Sequence, residues 1–201
     1  MIINNFDNIL NKNNKILFII PARGGSKRLK SKNKVLLNGM PLFMHSANAV
    51  KKIKGNIRLV VSTDDEDIKN FCKLKHIEIQ NRSKILGLDF SAKQEVIIDV
   101  CRELWEKEFY MPNIVVSLQA NSPEVDDDLL VKNIESFENL KEVNGCKELI
   151  CINENGKQNG SIRIMTYKTV FQKTLSTYLG TYKKDLVDVH TLSDLNYLKK
   201  E

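Results

Sequence analysis

A glycine pair followed by a cluster of cations is the stretch of this sequence that most clearly could do chemistry. The segment FIIPARGGSKRLKSKNK, residues 18–34, runs from an apolar stretch through Gly24 and Gly25 into a basic region. Its six cations are Arg23, Lys27, Arg28, Lys30, Lys32 and Lys34. Like charges this close repel one another unless an anion lies between them, and paired glycines let an anion approach the backbone. The stretch therefore predicts a polyphosphate site.

This glycine pair matches neither common phosphate-binding motif, because the sequence contains no G-x-x-x-x-G-K-[ST] and no G-x-G-x-x-G. Similar chemistry is still expected. Backbone N–H groups of a glycine bend can cradle phosphate oxygens while Arg23, Lys27 and Lys32 neutralise their charge. The alternative is that the glycines only turn the chain and the lysines are solvated, and the spacing alone leaves both interpretations open.

The distribution of charge favours a small anionic ligand over nucleic acid. The chain of 201 residues carries a formal net charge of +6. Residues 1–54 hold eleven Lys or Arg against one acid, Asp7, so this segment carries +10 and the remainder −4. Nucleic-acid surfaces usually interleave cations with aromatic side chains or spread them along a helix face. Here the cations crowd into one glycine-bearing loop, so no nucleic-acid partner is expected.

Composition and length are typical of a globular protein with one domain. The sequence is 42% hydrophobic and 28% charged, and one domain over residues 1–201 is expected. Its four cysteines form no C-x-x-C pair, which indicates reduced core thiols and argues against a zinc site or disulfides. The first fifteen residues lack the apolar core of a signal peptide, and no run of about 18 apolar residues occurs. We therefore expect a soluble, cytoplasmic protein without membrane contact.

Three apolar runs of strand length must position the basic loop. They are KILFII at 15–20, IRLVVS at 57–62 and NIVVSL at 113–118, and such runs are typical of strands covered on both faces. Helical patterns lie between them. PLFMHSANAVKKI places Pro41 at a first helical position, while Thr63 and Ser91 are the predicted N-caps of TDDEDIKNFCKL and SAKQEVIIDVCRELWEKE. The alternation predicts a three-layer α/β domain with a mostly parallel sheet.

The last of these helices and the second half of the chain complete the expected elements. One helix face carries the apolar residues Val96, Ile97, Val100, Cys101, Leu104 and Trp105. Beyond it, we expect a helix at DDDLLVKNIESFENL and strands at KELICIN and GSIRIMTY. DLVDVHTLSDLNYLKK is expected to form a strand that runs into a terminal helix.

The segment IPARGGSKRLKSKNK closely resembles the N-terminal signature of the cytidylyltransferases that make CMP-sialic acids and, more distantly, CMP-3-deoxy-manno-octulosonate. Further segments agree in order: VSTDDEDI, Arg82 followed by LGLDFSAKQEVI, SLQANSP, NGSIRI and VDVHTLSDL. The resemblance spans nearly the whole chain. It implies a Rossmann-like nucleotidyltransferase fold with CTP over the carboxyl ends of the parallel strands. The activity it implies is transfer of CMP from CTP to an acidic sugar of the sialic acid (nonulosonate) type, with release of pyrophosphate.

The resemblance also implies a role for each matching residue. Nucleotide-binding residues would be Ala22, Arg23, Gly24, Gly25, Ser26, Lys27, Lys32, Asn33, Arg82 and Ser91, with Arg23, Ser26, Lys27 and Lys32 on the triphosphate. Gln119 would face the acceptor, and Asn159 with Gly160 would line its pocket. The catalytic residues would be Arg23, Lys27 and Asp188, and Mg²⁺, or Mn²⁺, would bind Asp188 and His190. Charge that builds on phosphoryl oxygens during transfer explains the need for fixed cations and a metal ion.

The metal motif departs from the family pattern, which usually reads Asp-x-Asp and here reads Asp188-Val189-His190. On a strand both side chains would share one face, so the geometry would be kept while one oxygen ligand becomes an imidazole. Mg²⁺ binding should then be weakened or rearranged. The alternative is that His190 is only a surface residue or begins the terminal helix. Asp185 or Asp194 would then supply the missing charge.

Two further departures concern the acceptor. Glu124 and Val125 replace a Leu-Arg pair of the relatives, which removes a positive charge. The segment NENGKQ before NGSIRI has six residues, of which Lys157 is the only cation, where relatives carry a long excursion that helps to form a dimer and binds the sugar carboxylate. CTP and a small acidic sugar remain the expected partners, and a homodimer is a possible assembly. Two alternatives stay open: the same chemistry with another acceptor or nucleotide, and an inactive nucleotide-binding relative.

Overall fold

Seven strands form one mixed sheet in the computed structural model, which describes residues 14–26, 29–83, 86, 93–172 and 174–199. The strands of the chain are β1 Ile16–Pro21, β2 Leu36–Leu37, β3 Met40–Pro41, β4 Ile57–Thr63, β5 Glu78–Asn81, β6 Ile114–Leu118, β7 Glu148–Ile152, β8 Gln158–Thr166 and β9 Leu179–Lys183. β2 and β3 form a separate hairpin, and the sheet order is β5-β4-β1-β6-β8-β7-β9. Among these seven strands β8 alone runs antiparallel to its neighbours, which confirms the predicted mostly parallel sheet.

The helices of the described residues lie between the strands and at the end of the chain. They are α1 Leu42–Lys52, α2 Glu66–Leu74, α3 Lys93–Glu108, α4 Asp127–Asn144 and α5 Leu192–Leu198, with short 3-10 helices at Lys32–Lys34 and Tyr167–Phe171. The ends of α4 are fixed by local chemistry. The Asp126 side chain accepts a hydrogen bond from Leu129 N at 2.8 Å, and Gly145 ends the helix in the left-handed conformation at φ +67°.

Side chains along β1 alternate between two cores. Ile16, Phe18 and Ile20 pack into a core shared with α1, α2 and α4, whereas Leu17 and Ile19 pack into a second core shared with α3. All five are fully buried, and burial of each such side chain contributes about 1.5–3 kcal/mol to stability. The predicted three-layer arrangement is confirmed, and it holds the strand that leads into the basic loop rigidly in place.

Two predicted helix starts are displaced by local hydrogen bonding. Thr63 still belongs to β4, and α2 begins after Asp65, whose carboxylate accepts a hydrogen bond from Ile68 N at 3.0 Å. Asp is a better N-cap than Thr, which explains the shift. Pro41 pairs with Leu36 in the β2–β3 hairpin and precedes α1 instead of occupying its first position.

The helix α3 confirms most of its predicted apolar face. Val96, Ile97, Val100, Cys101 and Leu104 are buried. Trp105 was expected among them but is 41% exposed, because it lies near the helix end and packs edge-on against Phe109. The prediction that Ser91 caps this helix falls outside the described residues.

The prediction of a strand in DLVDVHTLSDLNYLKK is wrong, because residues 185–191 form no strand. The edge strand β9 lies before this segment. Val189 instead packs against Leu195 and Leu198 of α5, and the predicted terminal helix is present. Gly180 of β9 lies against α4, where a Cβ would lie 2.8 Å from Leu140 Cδ1 and 3.1 Å from Cys146 Sγ. A larger residue would require these side chains to shift, so glycine fits this position, and a glycine within a strand weakens the strand pattern in the sequence.

The four cysteines, Cys72, Cys101, Cys146 and Cys151, are buried, as expected for core thiols. Over the described ranges, the helices are too short or too polar to cross a membrane.

Candidate active site

A cleft of about 280 Å³ lies where the carboxyl ends of β1 and β6 meet the loop after β5. Because parallel strands end at the same edge of a sheet, their loops converge there. The loop after β1 contributes Arg23, Ser26, Lys32 and Asn33, and other elements contribute Arg82, Lys93, Gln119 and His190. All of these except Lys93 were identified in the sequence as candidate site residues, and the fold brings them to one cleft.

The two glycines of the basic loop have different surroundings. Gly24 N–H donates a hydrogen bond to Asp64 Oδ1 at 2.9 Å, and a Cβ on Gly24 would lie 2.7 Å from Asp65 Oδ2 and 2.9 Å from Asp65 Cβ. Gly24 therefore lets the loop approach the start of α2. A Cβ on Gly25 would meet no atom within 4 Å in the described structure. The space beside Gly25 is therefore open in the described structure.

Part of the cationic cluster is neutralised by α2. Lys34 Nζ lies 2.9 Å from Asp65 Oδ2 and 2.8 Å from Asp67 Oδ2. Hydrogen bonds to Asp67 and Asp65 raise the pKa of Lys34. This lysine therefore anchors the loop to the protein's own carboxylates, and the expectation that one external anion separates all six cations was too broad. The predicted triphosphate ligand Lys27 lies outside the described residues, as does Arg28.

Ala22 and Asn33 fix the path of the loop. Ala22 is buried and its N–H donates to Ser62 O at 2.9 Å, so the chain remains attached to β4 one residue beyond β1. Asn33 is 6% exposed, and its Nδ2 donates to Arg23 O at 2.9 Å. These contacts place Arg23 at the mouth of the cleft.

A chain of hydrogen bonds positions Arg82, which is only 8% exposed. Its Nε donates to Ser62 Oγ at 3.3 Å, and its Nη2 donates to Ser62 O at 3.0 Å. Ser62 Oγ in turn donates to Gln80 Oε1 at 2.6 Å, and Gln80 Nε2 donates to Asp99 Oδ2 at 2.8 Å. The guanidinium is therefore held in one orientation.

The electrostatic surroundings of Arg82 favour an anionic ligand. Burial is the main cause that lowers the pKa of Arg82 to about 10; Asp64 opposes the shift and the nearby charge of Arg23 contributes to it. A partly desolvated guanidinium beside a second arginine is stabilised when an anion enters. The two arginines thus form the cationic wall of the cleft.

A second wall holds Gln119, Lys93 and Gly160. Lys93 Nζ donates to Gln119 Oε1 at 2.7 Å and to Gly160 O at 3.3 Å. Gly160 has φ +75°, and a Cβ there would lie 3.1 Å from Gln119 Oε1, so a glycine fits best. Lys93 as a whole residue is exposed, but its ammonium group lies within the cleft, and desolvation there lowers the pKa of Lys93 to about 8.

Asp188 lies beside this second wall. Its carboxylate accepts hydrogen bonds from Ser122 Oγ and from the Gln119 side chain. Burial raises the pKa of Asp188, an effect that these hydrogen bonds and the charges of His190 and Lys93 oppose. The residue is thus attached to the loop after β6 although it lies on no strand.

The carboxylates suggested as substitutes for the second metal ligand have other roles. Asp194 Oδ2 accepts hydrogen bonds from His190 N and Thr191 N at 2.8 Å each, as part of the capping box of α5. Asp185 Oδ1 accepts from Glu154 N at 2.9 Å. Within the described ranges no group of three or more His, Cys, Asp or Glu side chains could hold a metal ion.

The predicted acceptor residues Asn159 and Gly160 are placed differently. Gly160 contacts the second wall, whereas Asn159 Nδ2 donates to Asn153 Oδ1 at 3.0 Å and to Lys184 O at 2.9 Å. Asn159 Oδ1 accepts from Ser161 N at 3.1 Å. Asn159 therefore shapes the turn that presents Gly160; neither residue lines the cleft itself, and Gly160 adjoins it through Lys93.

Lys93 is the site residue that the sequence interpretation missed. It opens the described part of α3, where the helix dipole disfavours a cation. A lysine at the start of a helix, two residues after the predicted site residue Ser91, was the available signal.

Comparison with known proteins agrees with this architecture. A family model described as cytidylyltransferase matches residues 17–198. CMP-N,N'-diacetyllegionaminic acid synthase of Legionella pneumophila is 34% identical over 110 residues, which make up 54% of this chain and 47% of that protein. N-acylneuraminate cytidylyltransferase of Streptococcus agalactiae is 30% identical over 111 residues, 54% of this chain and 26% of that protein. The matches thus span about half or less of these relatives.

A solved structure shares the fold. CMP:2-keto-3-deoxy-manno-octonic acid synthetase complexed with CTP superposes with a TM-score of 0.71 at 14% identity, and the match covers 92% of this chain and 97% of that one. The fold is therefore the Rossmann-like nucleotidyltransferase fold that the resemblance implied. With a family model matched over nearly its whole length, this chain belongs to the cytidylyltransferase family.

Proposed function

We propose that the chain transfers CMP from CTP to an acidic sugar of the sialic acid type and releases pyrophosphate. The observation that carries this proposal is the convergence of Arg23, Lys32 and Arg82 with Gln119 on one cleft at the carboxyl ends of parallel strands. Membership of the cytidylyltransferase family supports CTP as the donor. The names of both sequence relatives pair a cytidylyl or CMP group with a sugar acid, which supports the acceptor class.

The proposed reaction needs positive charge around the phosphates. An acceptor hydroxyl oxygen attacks the α-phosphorus of CTP, and the bond from that phosphorus to the bridging oxygen breaks. Pyrophosphate leaves with the electron pair, and the hydroxyl proton is released. Arg23 and Lys32 would stabilise the charge that develops on the phosphates, and Ser26 would donate a hydrogen bond to them. Lys27 is proposed to act with Arg23 on the strength of the resemblance alone.

Arg82 and Asn33 are proposed to contact the nucleoside, with Ser91 beside it. The hydrogen bonds from Arg82 to Ser62, and from Asn33 to Arg23 O, keep both side chains in fixed positions. A rigid pocket of this kind lowers the entropic cost of binding a base in one orientation. The acceptor would lie on the other side of the α-phosphate, against Gln119 and Gly160.

The residues at Asp188 fit a divalent ion that is held mainly by the substrate. Mg²⁺ is commonly bound by one or two carboxylates together with phosphate oxygens and water. Asp188 offers one carboxylate whose burial favours a nearby cation, and it is hydrogen-bonded to Gln119, which lines the cleft together with His190. We propose Mg²⁺ or Mn²⁺ at this place. When bound, the ion would neutralise charge on the phosphate oxygens.

The Asp188 and His190 pair favours a second candidate function, nucleotide binding without turnover. One carboxylate and one imidazole provide fewer hard oxygen ligands than the usual family motif, and the described residues supply no third His, Cys, Asp or Glu side chain to the pair. In that case the cationic wall would still bind a nucleotide, while transfer would be slow or absent.

A pyrophosphate-release assay distinguishes the two candidates. CTP, ATP, GTP and UTP are each offered with a panel of α-keto acid sugars, in Mg²⁺ or Mn²⁺. We expect release only with CTP and an acidic sugar, and a loss of about 10² in rate for Arg23→Ala because one fixed donor is removed. Lys132→Met is the control, since Lys132 pairs with Asp128 on the exposed side of α4. CTP binding without release would favour the second candidate, and equal release from all four nucleotides would contradict CTP preference.

A further inference from the structure

We propose that Lys93 binds the carboxylate of the acceptor and thereby sets the preference for acidic sugars. This inference rests on the proposed CMP transfer and assigns a specificity-determining residue to the acceptor side of the cleft. It starts from the position of the ammonium group, which lies on the second wall with Gln119 and Gly160.

The hydrogen bonds of Lys93 hold its charge in place without neutralising it. An ammonium group has three N–H donors. Two are used by neutral oxygens, Gln119 Oε1 at 2.7 Å and Gly160 O at 3.3 Å. In the described structure no carboxylate forms an ion pair with this ammonium, and Asp188 acts on it only at longer range. Among the described contacts, the third N–H donor of this fixed cation is unused, and the ammonium is partly desolvated. Such a group is suited to bind an anionic ligand.

A second cation near Lys93, Arg163, already has partners within the protein. Arg163 Nε lies 2.5 Å from Oε1 of the fully buried Glu148, and its Nη1 donates to Gln94 Oε1 at 2.5 Å. A second oxygen of Glu148 accepts a hydrogen bond from Ser176 N at 2.7 Å. Arg163 therefore belongs to the sheet framework, and the positive charge offered to a ligand on this side comes from Lys93.

The placement favours the acceptor over the nucleotide phosphates. Arg23 and Lys32, on the loop after β1, already provide cations for a triphosphate. Lys93 shares its wall with Gln119 and with the turn at Gly160, outside that loop. Glu124 adds a negative charge near the same end of the sheet, where its carboxylate accepts a hydrogen bond from Val187 N. A carboxylate on the acceptor would thus depend on Lys93 for its electrostatic partner.

The test uses Lys93→Met, which keeps the length of the side chain and removes its charge, with Lys93→Arg as the conservative variant and Lys132→Met as the surface control. Calorimetry measures the affinity for CTP, and then for N-acetylneuraminate, 3-deoxy-manno-octulosonate and a neutral amide of each in the presence of a non-hydrolysable CTP analogue. Steady-state assays give kcat and KM separately. These binding measurements do not require turnover.

We expect Lys93→Met to weaken binding of the acid about 10- to 100-fold, as for loss of a charged hydrogen bond, with CTP affinity within about threefold. The neutral amide should bind both proteins alike, and Lys93→Arg should recover part of the affinity for the acid. Equal weakening for CTP, or an unchanged preference for the acid, would overturn the inference, as would failure of the wild type to bind either acid. Failure of the proposed function has a different signature, which is absence of CTP binding or of pyrophosphate release in the wild type.

Discussion

Asn121 and Val189 are joined by two hydrogen bonds. Val189 N donates to Asn121 O at 2.8 Å, and Asn121 Nδ2 donates to Val189 O at 2.9 Å. Asn121 follows β6, and Val189 lies between Asp188 and His190 in the sequence. This pair of bonds therefore holds the candidate metal residues against the carboxyl end of the sheet, although no strand continues there.

Asn121→Ala should loosen this attachment. Asn121 is only 5% exposed, so the substitution leaves a buried carbonyl at Val189 without its donor. We expect a loss of about 1–3 kcal/mol in the free energy of unfolding, measured by urea titration. Asn196→Ala, on the exposed side of α5, is the control and should change stability little. If Asn121→Ala unfolds at the same urea concentration as the wild type, the side-chain hydrogen bond of Asn121 does not hold the segment.

His190 should determine which divalent ion best supports turnover. An imidazole suits softer divalent ions, so the wild type should turn over more readily with Mn²⁺ or Co²⁺ than with Mg²⁺. His190→Asp would restore two oxygen ligands and should raise Mg²⁺-dependent turnover, whereas Asp188→Ala should abolish turnover with every metal. The measurement is kcat with each ion. An unchanged metal preference in His190→Asp, together with an active Asp188→Ala variant, would show that the metal binds elsewhere.

Arg82→Met should separate ligand binding from stability. The guanidinium is buried beside Arg23, so replacing it by an apolar side chain removes a desolvated charge and should leave the melting temperature of the free protein equal or higher. The stabilisation by CTP, which follows from binding to the native state, should shrink strongly. Thermal-shift titrations measure both quantities, with Arg102→Met on the exposed side of α3 as control. A full CTP-dependent shift in Arg82→Met would exclude Arg82 from the nucleotide site.

Gly24→Ala and Gly25→Ala should fail in different ways. A Cβ at Gly24 would overlap Asp65, so we expect a loss of about 1–3 kcal/mol in stability from the forced shift of the loop. A Cβ at Gly25 has room in the free protein but would enter the space proposed for phosphate. Gly25→Ala should keep the wild-type unfolding free energy and bind CTP more weakly. Equal stability of both variants would argue against the contact between Gly24 and α2.

The KM for an acidic acceptor should rise above about pH 8. Burial lowers the pKa of Lys93 to about 8; Asp188 opposes this shift, and Arg163 and Lys32 add to it. A lysine is charged below its pKa, so the charge that binds the carboxylate is present at pH 7 and is lost as pH rises through about 8. Lys93→Arg keeps its charge to a higher pH and should show a flatter profile. Identical profiles for the two proteins would assign the pH dependence to another group.

The elements that frame the cleft could be predicted because their signals are local. β1, β4 and β6 are continuous apolar runs, as expected for strands covered on both faces. The edge strand β9 could not be predicted in the same way, since its side chains alternate in exposure and Gly180, which packs closely against Leu140 of α4, weakens the strand pattern. The extended segment around Val189 resembles a strand in sequence, but it is held by Asn121 and α5 instead of by a ladder.

The site residues also divide into those that the sequence indicates and those whose contacts only the folded structure shows. Arg23, Lys32 and Arg82 could be identified from residue type and family resemblance, and the fold places them on one cleft. The ion pairs of Lys34 with α2 depend on tertiary contacts that no spacing rule indicates. Lys93 carried only a weak signal, a cation at the start of a helix.

The most direct test of CMP transfer is ³¹P NMR of a reaction that contains the protein, CTP, Mg²⁺ or Mn²⁺ and an α-keto acid sugar. We expect the CTP signals to be replaced by pyrophosphate and by the phosphodiester of a CMP-sugar in equal amounts. Neither product should form when the sugar is omitted. Pyrophosphate accompanied by free CMP alone would indicate hydrolysis, and unchanged CTP with every acceptor would contradict transfer.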